Sequence, residues 1–427
     1  MKASITSFGC RLNHSESDVI AGNLGKKGYT ITNDDSDAEL CVINTCTVTA
    51  RSDMKCKQRI RSIQRNNPRA KIAVVGCYSQ MSSDELLEIG GIDLILGNQE
   101  KLNLHHYIDH IDTADGPIIK VDKIGKTPFT IDFSGSYSTC RANLKVQDGC
   151  DFFCSFCIIP FSRGRSRPRV LQNILDEAKV LADNGFKEIV LTGVNIGTYL
   201  YEGKSFLDVL NALEKVDGIK RIRISSIEPT TVDKAALEYM ADETSKVVPF
   251  LHLPLQSANN DVLKDMKRRY AFQEYEKFVR EADNKVKGLC IGTDVLTGFP
   301  TETEAMHQDT LEKLSSLSVN YFHVFPYSER KGTRSAQYPE SNSAEVIRRR
   351  SLELRELSDK KRQEFYSSYL GKTLSVLFED KDSENRLRGY SENYIRCVTS
   401  DDVRSGDIRS CVVLEVHENY VSVSVLQ

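Results

Sequence analysis

Nothing in this chain stays apolar for long. No run approaches the roughly 18 residues that a membrane-spanning helix needs, and the opening MKASITSFGC is too short and polar for a secretory signal. The chain is therefore expected in the cytoplasm, where disulfide frameworks are rare and clustered thiols more often hold metal or do redox chemistry. An excess of one charge is also missing. Lys and Arg total 57 against 60 Asp and Glu, a formal net charge of -3. No global basic field marks a nucleic-acid binder, so any such partner must be met by local patches. Internal repeats and low-complexity tracts are absent. Cysteine is not scarce: there are 12, in a chain whose 40% hydrophobic content suffices for ordinary cores.

At roughly 100–200 residues per domain, 427 residues suggest two to four domains. Residues 1–112 alternate the apolar runs ASITSF, AELCVINT, KIAVVG and IDLILG with helical stretches such as SESDVIAGNLGKKG and DMKCKQRIRSIQRN. That is βαβ order, predicting an α/β, Rossmann-like domain with a parallel sheet. Residues 113–138, rich in Gly, Pro and Ser, read as a linker. From Arg141 the alternation resumes with RANLKVQD, EIVLTGV, RIRISSI, FLHLPLQ, LCIGTDVLTGF and YFHVFPY. Six β/α units over residues 139–366 predict a partial (β/α)6 barrel, with a long charged amphipathic helix over 341–366 leading out of it. Residues 367–427 carry short alternating strands with Gly and Asp turns, which predict a small antiparallel β-barrel of OB-like size.

The stretch DGCDFFCSFCIIPFSRGRSR places Cys150, Cys154 and Cys157 within eight residues and supplies no fourth cysteine. A structural zinc site and an ordinary ferredoxin cluster both take four protein ligands. A 4Fe-4S cluster on three cysteines leaves one iron open, as a catalytic metal site does. The competing readings are three core thiols or a partial zinc knuckle. A second triple is spread through the N-terminal domain. Cys10 ends SITSFGC, Cys46 ends CVINTC and Cys77 ends AVVGC. Each follows a predicted strand, and the carboxyl ends of parallel strands share one edge, where open α/β sheets place ligands. Three thiolates there would hold a second cluster, with Gly9 and Gly76 letting the backbone turn. Taken singly, each of these cysteines reads equally well as a small buried hydrophobe. Cys41, inside its strand, and Cys56, mid-helix, read as non-ligands. Cys140, Cys290, Cys397 and Cys411 read as packing.

The C-x-x-x-C-x-x-C spacing after the first barrel strand, with Phe156 before the last cysteine, resembles the radical S-adenosylmethionine superfamily. The whole layout resembles its methylthiotransferase family, whose members carry a TRAM domain at the C-terminus. The wording of NTCTVTARSD, QDGCDFFCSFCIIPFSRGRSRPR and LQSANNDVLKDMKRRY resembles the MtaB-type branch. The resemblance implies two 4Fe-4S clusters, S-adenosylmethionine, an external electron donor and a sulfur source. It also implies a transferase that replaces a C–H bond with C–SCH3. For this branch the substrate would be N6-threonylcarbamoyladenosine at position 37 of tRNA. The sister branches act on isopentenyladenosine in tRNA or on a ribosomal-protein aspartate. A reading from another class is an iron–sulfur RNA-binding scaffold without catalysis. The cofactor contacts that the resemblance implies are Phe156 beside the adenine, Gly193 and Asn195 in LTGVNIG, Ser226 and Glu228 in SSIEP, and Gln256 and Ser257 in LPLQS. TGFPTETE closes the barrel side near Gly298.

Basic residues cluster locally. Residues 51–71 hold eight Lys/Arg against Asp53 alone, and Arg163, Arg165, Arg167 and Arg169 follow the first triple. One-signed patches of this kind suit phosphate, giving affinity without base identity. Lys55, Lys57, Arg59, Arg163, Arg165 and Arg167 are candidate contacts to a tRNA anticodon stem-loop, together with Tyr394 and Arg396 in the C-terminal barrel. Arg348 to Arg350, interleaved with Glu, read as a solvated helix face. The protein is expected to be a monomer.

Overall fold

The computed structural model describes residues 1–133, 139–339 and 342–426. The end of the expected linker, 134–138, falls outside the described residues.

The N-terminal sheet is parallel throughout. In chain order its strands are Lys2–Ser7, Thr30–Thr32, Leu40–Thr45, Lys71–Gly76, Leu94–Leu96 and Ile118–Lys120. In space the second lies at one edge and the first beside it, followed by the third to the sixth. Every residue of Leu40–Thr45 is buried, because helices cover both faces of a central parallel strand. The sheet therefore has two strands that the hydrophobic runs do not announce. Thr30–Thr32 is short and threonine-flanked, and Ile118–Lys120 is half exposed at the far edge. The latter lies in the stretch expected to be linker. Those residues instead close the sheet by pairing Leu94 with Ile118 and Leu96 with Lys120.

Six further parallel strands form the partial barrel, in two sets of three. Arg141–Lys145, Glu188–Thr192 and Arg221–Ile224 make one; Phe250–His252, Cys290–Thr297 and Tyr321–Pro326 make the other. Single bridges, Ile222 to Val247 and Ser226 to His252, join them. Side chains alternate across each strand. Ala142, Leu144, Ile189, Ile222, Leu251, Ile291 and Phe322 point outward into the core beneath the helices. One helix, Leu171–Asp183, meets that core with Ile174, Ala178 and Leu181, spaced for a single helical face. The alternate positions face inward, and many of them are polar: Arg141, Asn143, Lys145, Glu188, Arg221, Arg223, His252, Asp294 and His323.

The long helix Ala344–Ser367 lies along the last barrel strand, where the Ser358 hydroxyl bridges the N–H and carbonyl of Phe322. Arg348 and Arg349 are exposed, as read from the sequence. Arg350 is not: it is buried and donates to Glu302 Oε2 at 2.8 Å, so this part of the basic run fastens the helix. The chain ends in a closed five-stranded barrel, whose strands Thr373–Lys381, Leu387–Ser391, Arg396–Thr399, Val421–Val425 and Ile408–Val416 neighbour one another in that order. Among the described residues, no helix is long and apolar enough to cross a membrane.

Candidate functional site

The N-terminal sheet brings its three strand-end cysteines to one edge. Ser7 pairs with Asn44, and Thr45 with Gly76, so the strands finish level. Cys10 is the N-cap of helix Arg11–Lys26, Cys46 follows Thr45 directly, and Cys77 opens the helix Cys77–Met81. Gly9 has φ +100° and packs so tightly on Cys46 that a Cβ there would lie 2.9 Å from its sulfur. A Cβ on Gly76, at φ +104°, would lie 2.6 Å from Asn44 Oδ1. Both turns thus require glycine, and the crowding at Gly9 places the Cys10 loop against Cys46. Asn13 clamps the same loops, donating to Phe8 O at 2.6 Å and Thr45 O at 2.9 Å. Cys10 is exposed; Cys46 and Cys77 are buried. Burial, with Cys77 nearby, pushes the Cys46 thiol up to about 11. Cys56 stands behind this group, its thiol 4.0 Å from the Cys46 carbonyl, and burial pushes it up to about 12.

The second triple lies on the loop after Arg141–Lys145. Backbone bonds fix that loop: Cys150 N–H to Gly164 O at 3.1 Å, Cys157 N–H to Cys154 O at 3.0 Å, and Ser155 N–H to Met266 O at 3.0 Å. Arg268 Nη1 lies 3.4 Å from Cys154 Sγ. Burial pushes the Cys150 thiol up to about 11 and the Cys157 thiol up to about 12, and the neighbouring thiols add to both. The N–H groups of Phe152 and Ile159 work the other way, favouring the two thiolates. Three soft sulfur donors on one loop, with backbone N–H groups that favour their thiolates, are the donor set that an iron–sulfur cluster takes. Among the described residues, one group of three has all its ligand atoms within 4.8 Å of one another, and it contains no cysteine.

Gln147, which the sequence reading missed, ties the cysteine loop to the next strand end. Its Oε1 accepts from the N–H groups of Val194 and Asn195, both at 2.9 Å, while its Nε2 donates to Gly149 O at 2.7 Å. Gly193 packs on the Gln147 carbonyl, and the Asn195 side chain accepts from Thr231 at 3.1 Å. Glu228 takes a 2.5 Å hydrogen bond from Arg268, the residue that also reaches Cys154. Ser226 bridges to His252, and Gln256 holds φ +78° beside Val295. Phe156 packs with Val262, Met266 and Phe299. Ser257 differs from the others: its hydroxyl is buried 3.3 Å from Thr310 on an outer helix, so it fastens the loop and does not face the cofactor side.

The two loops meet through buried charge. Glu16 is fully enclosed, and Arg163 donates to its Oε1 and Oε2, both at 2.9 Å. Lys145 donates to Glu16 Oε1 at 2.8 Å and to Asp148 Oδ2 at 2.7 Å; Lys101 also bonds Glu16. Asn98 Nδ2 lies 3.5 Å from Cys77 Sγ and donates to Ser162 O at 2.6 Å, joining one triple to the loop of the other. The rule that picked out strand-end cysteines applies equally to Asn98, two residues beyond Leu96. The charged residues gave no such signal.

This network corrects several expected RNA contacts. Arg163 is buried and neutralised by Glu16 and Asp148, and Arg167 is buried against Asp148 and the Phe129 ring. Lys57 and Arg59 are partly exposed and stay candidate contacts, each in a surface ion pair, Lys57 with Glu85 at 2.8 Å and Arg59 with Asp35. Tyr394 is partly buried at a domain junction and already engaged there. Its ring lies 4.7 Å from that of Phe250, and its hydroxyl accepts from Arg11 at 2.6 Å. Around it, Arg223 donates to Glu392 O at 2.8 Å and Arg221 to Ser375 O at 2.8 Å. Lys55 is exposed, and Arg165 is half exposed with Asp151 2.6 Å away. Arg396 is half buried.

Comparison with known proteins agrees with this layout. The model described as "Uncharacterized protein family UPF0004" matches residues 2–97, and that of the "Radical SAM superfamily" matches residues 144–314. The chain is similar to the threonylcarbamoyladenosine tRNA methylthiotransferase MtaB of Bacillus subtilis, 37% identical over 92% of this chain and 89% of that one. It is 31% identical to a tRNA-2-methylthio-N(6)-dimethylallyladenosine synthase of Protochlamydia amoebophila, over 90% of this chain and 87% of the other. In fold it resembles the radical S-adenosylmethionine methyltransferase TsrM of Kitasatospora setae, with TM-score 0.54, 14% identity, and coverage of 76% of this chain and 72% of that one. An N-terminal parallel sheet, a polar-lined partial barrel with a cysteine triple and a match of this extent lead to one assignment: the chain belongs to the radical S-adenosylmethionine methylthiotransferase family and is a transferase.

Proposed function

We propose that this enzyme converts N6-threonylcarbamoyladenosine at position 37 of tRNA to its 2-methylthio derivative. The observation that carries the reading is the 37% identity, over nearly the whole chain, to a relative named for that nucleoside, against 31% to one named for the dimethylallyl nucleoside.

In this reading Cys150, Cys154 and Cys157 hold one 4Fe-4S cluster, and Cys10, Cys46 and Cys77 hold a second. The chemistry the first would supply when bound is reductive cleavage of S-adenosylmethionine to a hydrogen-abstracting radical. The chain's own residues do the positioning. Gln147 sets the loop of Gly193 and Asn195 against the cysteine loop. Arg268 braces Cys154 and Glu228 together. Glu16, Arg163 and Asn98 fix the two loops relative to each other, which is what bringing a sulfur to a carbon radical demands. Lys55, Lys57, Arg59, Arg165 and Arg396 remain as contacts for the anticodon stem-loop. Electrons and sulfur come from outside, in the cytoplasm, and the enzyme works as a monomer.

Mass spectrometry of tRNA nucleosides from cells with and without the gene tests the substrate. Loss of the 2-methylthio-threonylcarbamoyl nucleoside, with its precursor accumulating, supports the proposal. A change confined to the isopentenyl nucleoside would move the enzyme to the sister branch.

A further inference from the structure

We propose that His252, Asp294 and His323 form a binding site for one divalent first-row transition metal ion on the inner wall of the catalytic barrel. The three residues sit on neighbouring parallel strands, with Asp294 in register with His323 and His252 in register with Gly292. All three fall on the inward-facing positions. His252 Nε2 lies 2.9 Å from Asp294 Oδ1, and His323 Nδ1 lies 3.4 Å from the same oxygen. All the ligand atoms lie within 4.8 Å of one another. Two donors each about 2.1 Å from one ion stand about 3.0 Å apart at a right angle and about 3.4 Å apart at a tetrahedral angle. Each histidine thus already stands at ligand spacing from the Asp294 oxygen.

The donor set points the same way. Two imidazoles and one carboxylate suit Fe2+, Mn2+ or Zn2+, and three protein ligands leave positions open. The opening has a direction: the His252 side chain is 10% exposed and that of His323 is 56% exposed. The wall behind is rigid. The Asp294 carbonyl accepts from Gln256 N–H at 2.8 Å, and His252 bridges to Ser226. The open positions therefore lie on the solvent-accessible side of His323 in the barrel interior, where water or another oxygen donor would complete the shell. This site uses none of the cysteines and is independent of which nucleoside the enzyme modifies.

Mn2+ is the probe, because it binds imidazole and carboxylate but is a poor partner for thiolates. The cluster-loaded protein is titrated anaerobically with Mn2+, and free Mn2+ is followed by its room-temperature EPR signal. One ion per chain is expected to bind. His323→Ala, at a largely exposed side chain, is expected to bind at least about 10-fold more weakly, with cluster absorbance and melting midpoint unchanged. Asp294→Asn, which keeps the shape and removes the anion, is expected to show the same loss. No binding by the wild type, or equal binding by both variants, would overturn the proposal and leave the trio as a hydrogen-bonded set.

Discussion

Arg163, on the loop that follows the radical-site cysteines, and Glu16, on the first helix, face each other across the domain boundary through two hydrogen bonds of 2.9 Å. Neither side chain reaches solvent. Glu16→Gln leaves Lys101, Lys145 and Arg163 enclosed with Asp148 as the main counter-charge. Breaking a buried ion pair from one side costs about 3–5 kcal/mol. A lower thermal midpoint and faster proteolysis between the first two domains are expected. An unchanged midpoint would show that the network does not hold them together.

The same network sets a pH dependence. Against the cost of burial, Arg163, Lys101 and Lys145 hold Glu16 well below the usual carboxylate range, and Arg223 and Arg141 hold Glu188 below it. A carboxylate depressed in the folded state stabilises above its unfolded pKa, about 4, and that contribution is lost as pH falls below it. Thermal midpoints should therefore drop steeply from pH 5 to pH 3. Glu188→Gln should flatten part of that slope. Parallel curves for the two proteins would refute the assignment to Glu188.

Iron analysis separates the two cysteine sets. Wild type, anaerobically reconstituted, should hold about eight irons per chain, and Cys154→Ala or Cys46→Ala about four. Only Cys154→Ala should abolish 5′-deoxyadenosine formation. Cys56→Ala, behind Cys46, should keep the full iron content. Loss of iron there would make Cys56 a ligand.

Gln147→Ala frees two N–H groups, the buried one of Asn195 and the part-buried one of Val194, and a buried group left unpaired costs about 1–3 kcal/mol. The loop of Gly193 should loosen and KM for S-adenosylmethionine should rise roughly tenfold or more at that cost, with iron content unchanged. KM equal to wild type would mean that the loop does not meet the cofactor.

The six barrel strands and the three strand-end cysteines of the N-terminal domain could be read directly, because parallel strands are apolar runs and their carboxyl ends share an edge. Thr30–Thr32 and Ile118–Lys120 could not, because an edge strand needs no apolar run. Charge misled for a related reason. Arg163 and Arg167 look like a phosphate patch in the sequence, but their partners Glu16 and Asp148 lie on other elements, and only the tertiary fold reveals the neutralisation. Tyr394 looked like a stacking platform for a base, and is instead wedged between Arg11, Arg223 and Phe250. Gln147 carries no motif at all; its role depends on two N–H groups 47 and 48 residues away.

The setting of Tyr394 bears on how such enzymes can be rebuilt. Arg141, Arg221 and Arg223 line the catalytic barrel yet find partners in the terminal barrel, at Glu379, Ser375 and Glu392. The terminal barrel is thus a cork as well as an appendage. A chain shortened before residue 373 would leave guanidinium groups facing an open hole. A chimera that borrows another RNA-binding barrel would need the segment around Tyr394 transplanted with it, and the unit that can be exchanged is the pair of barrels.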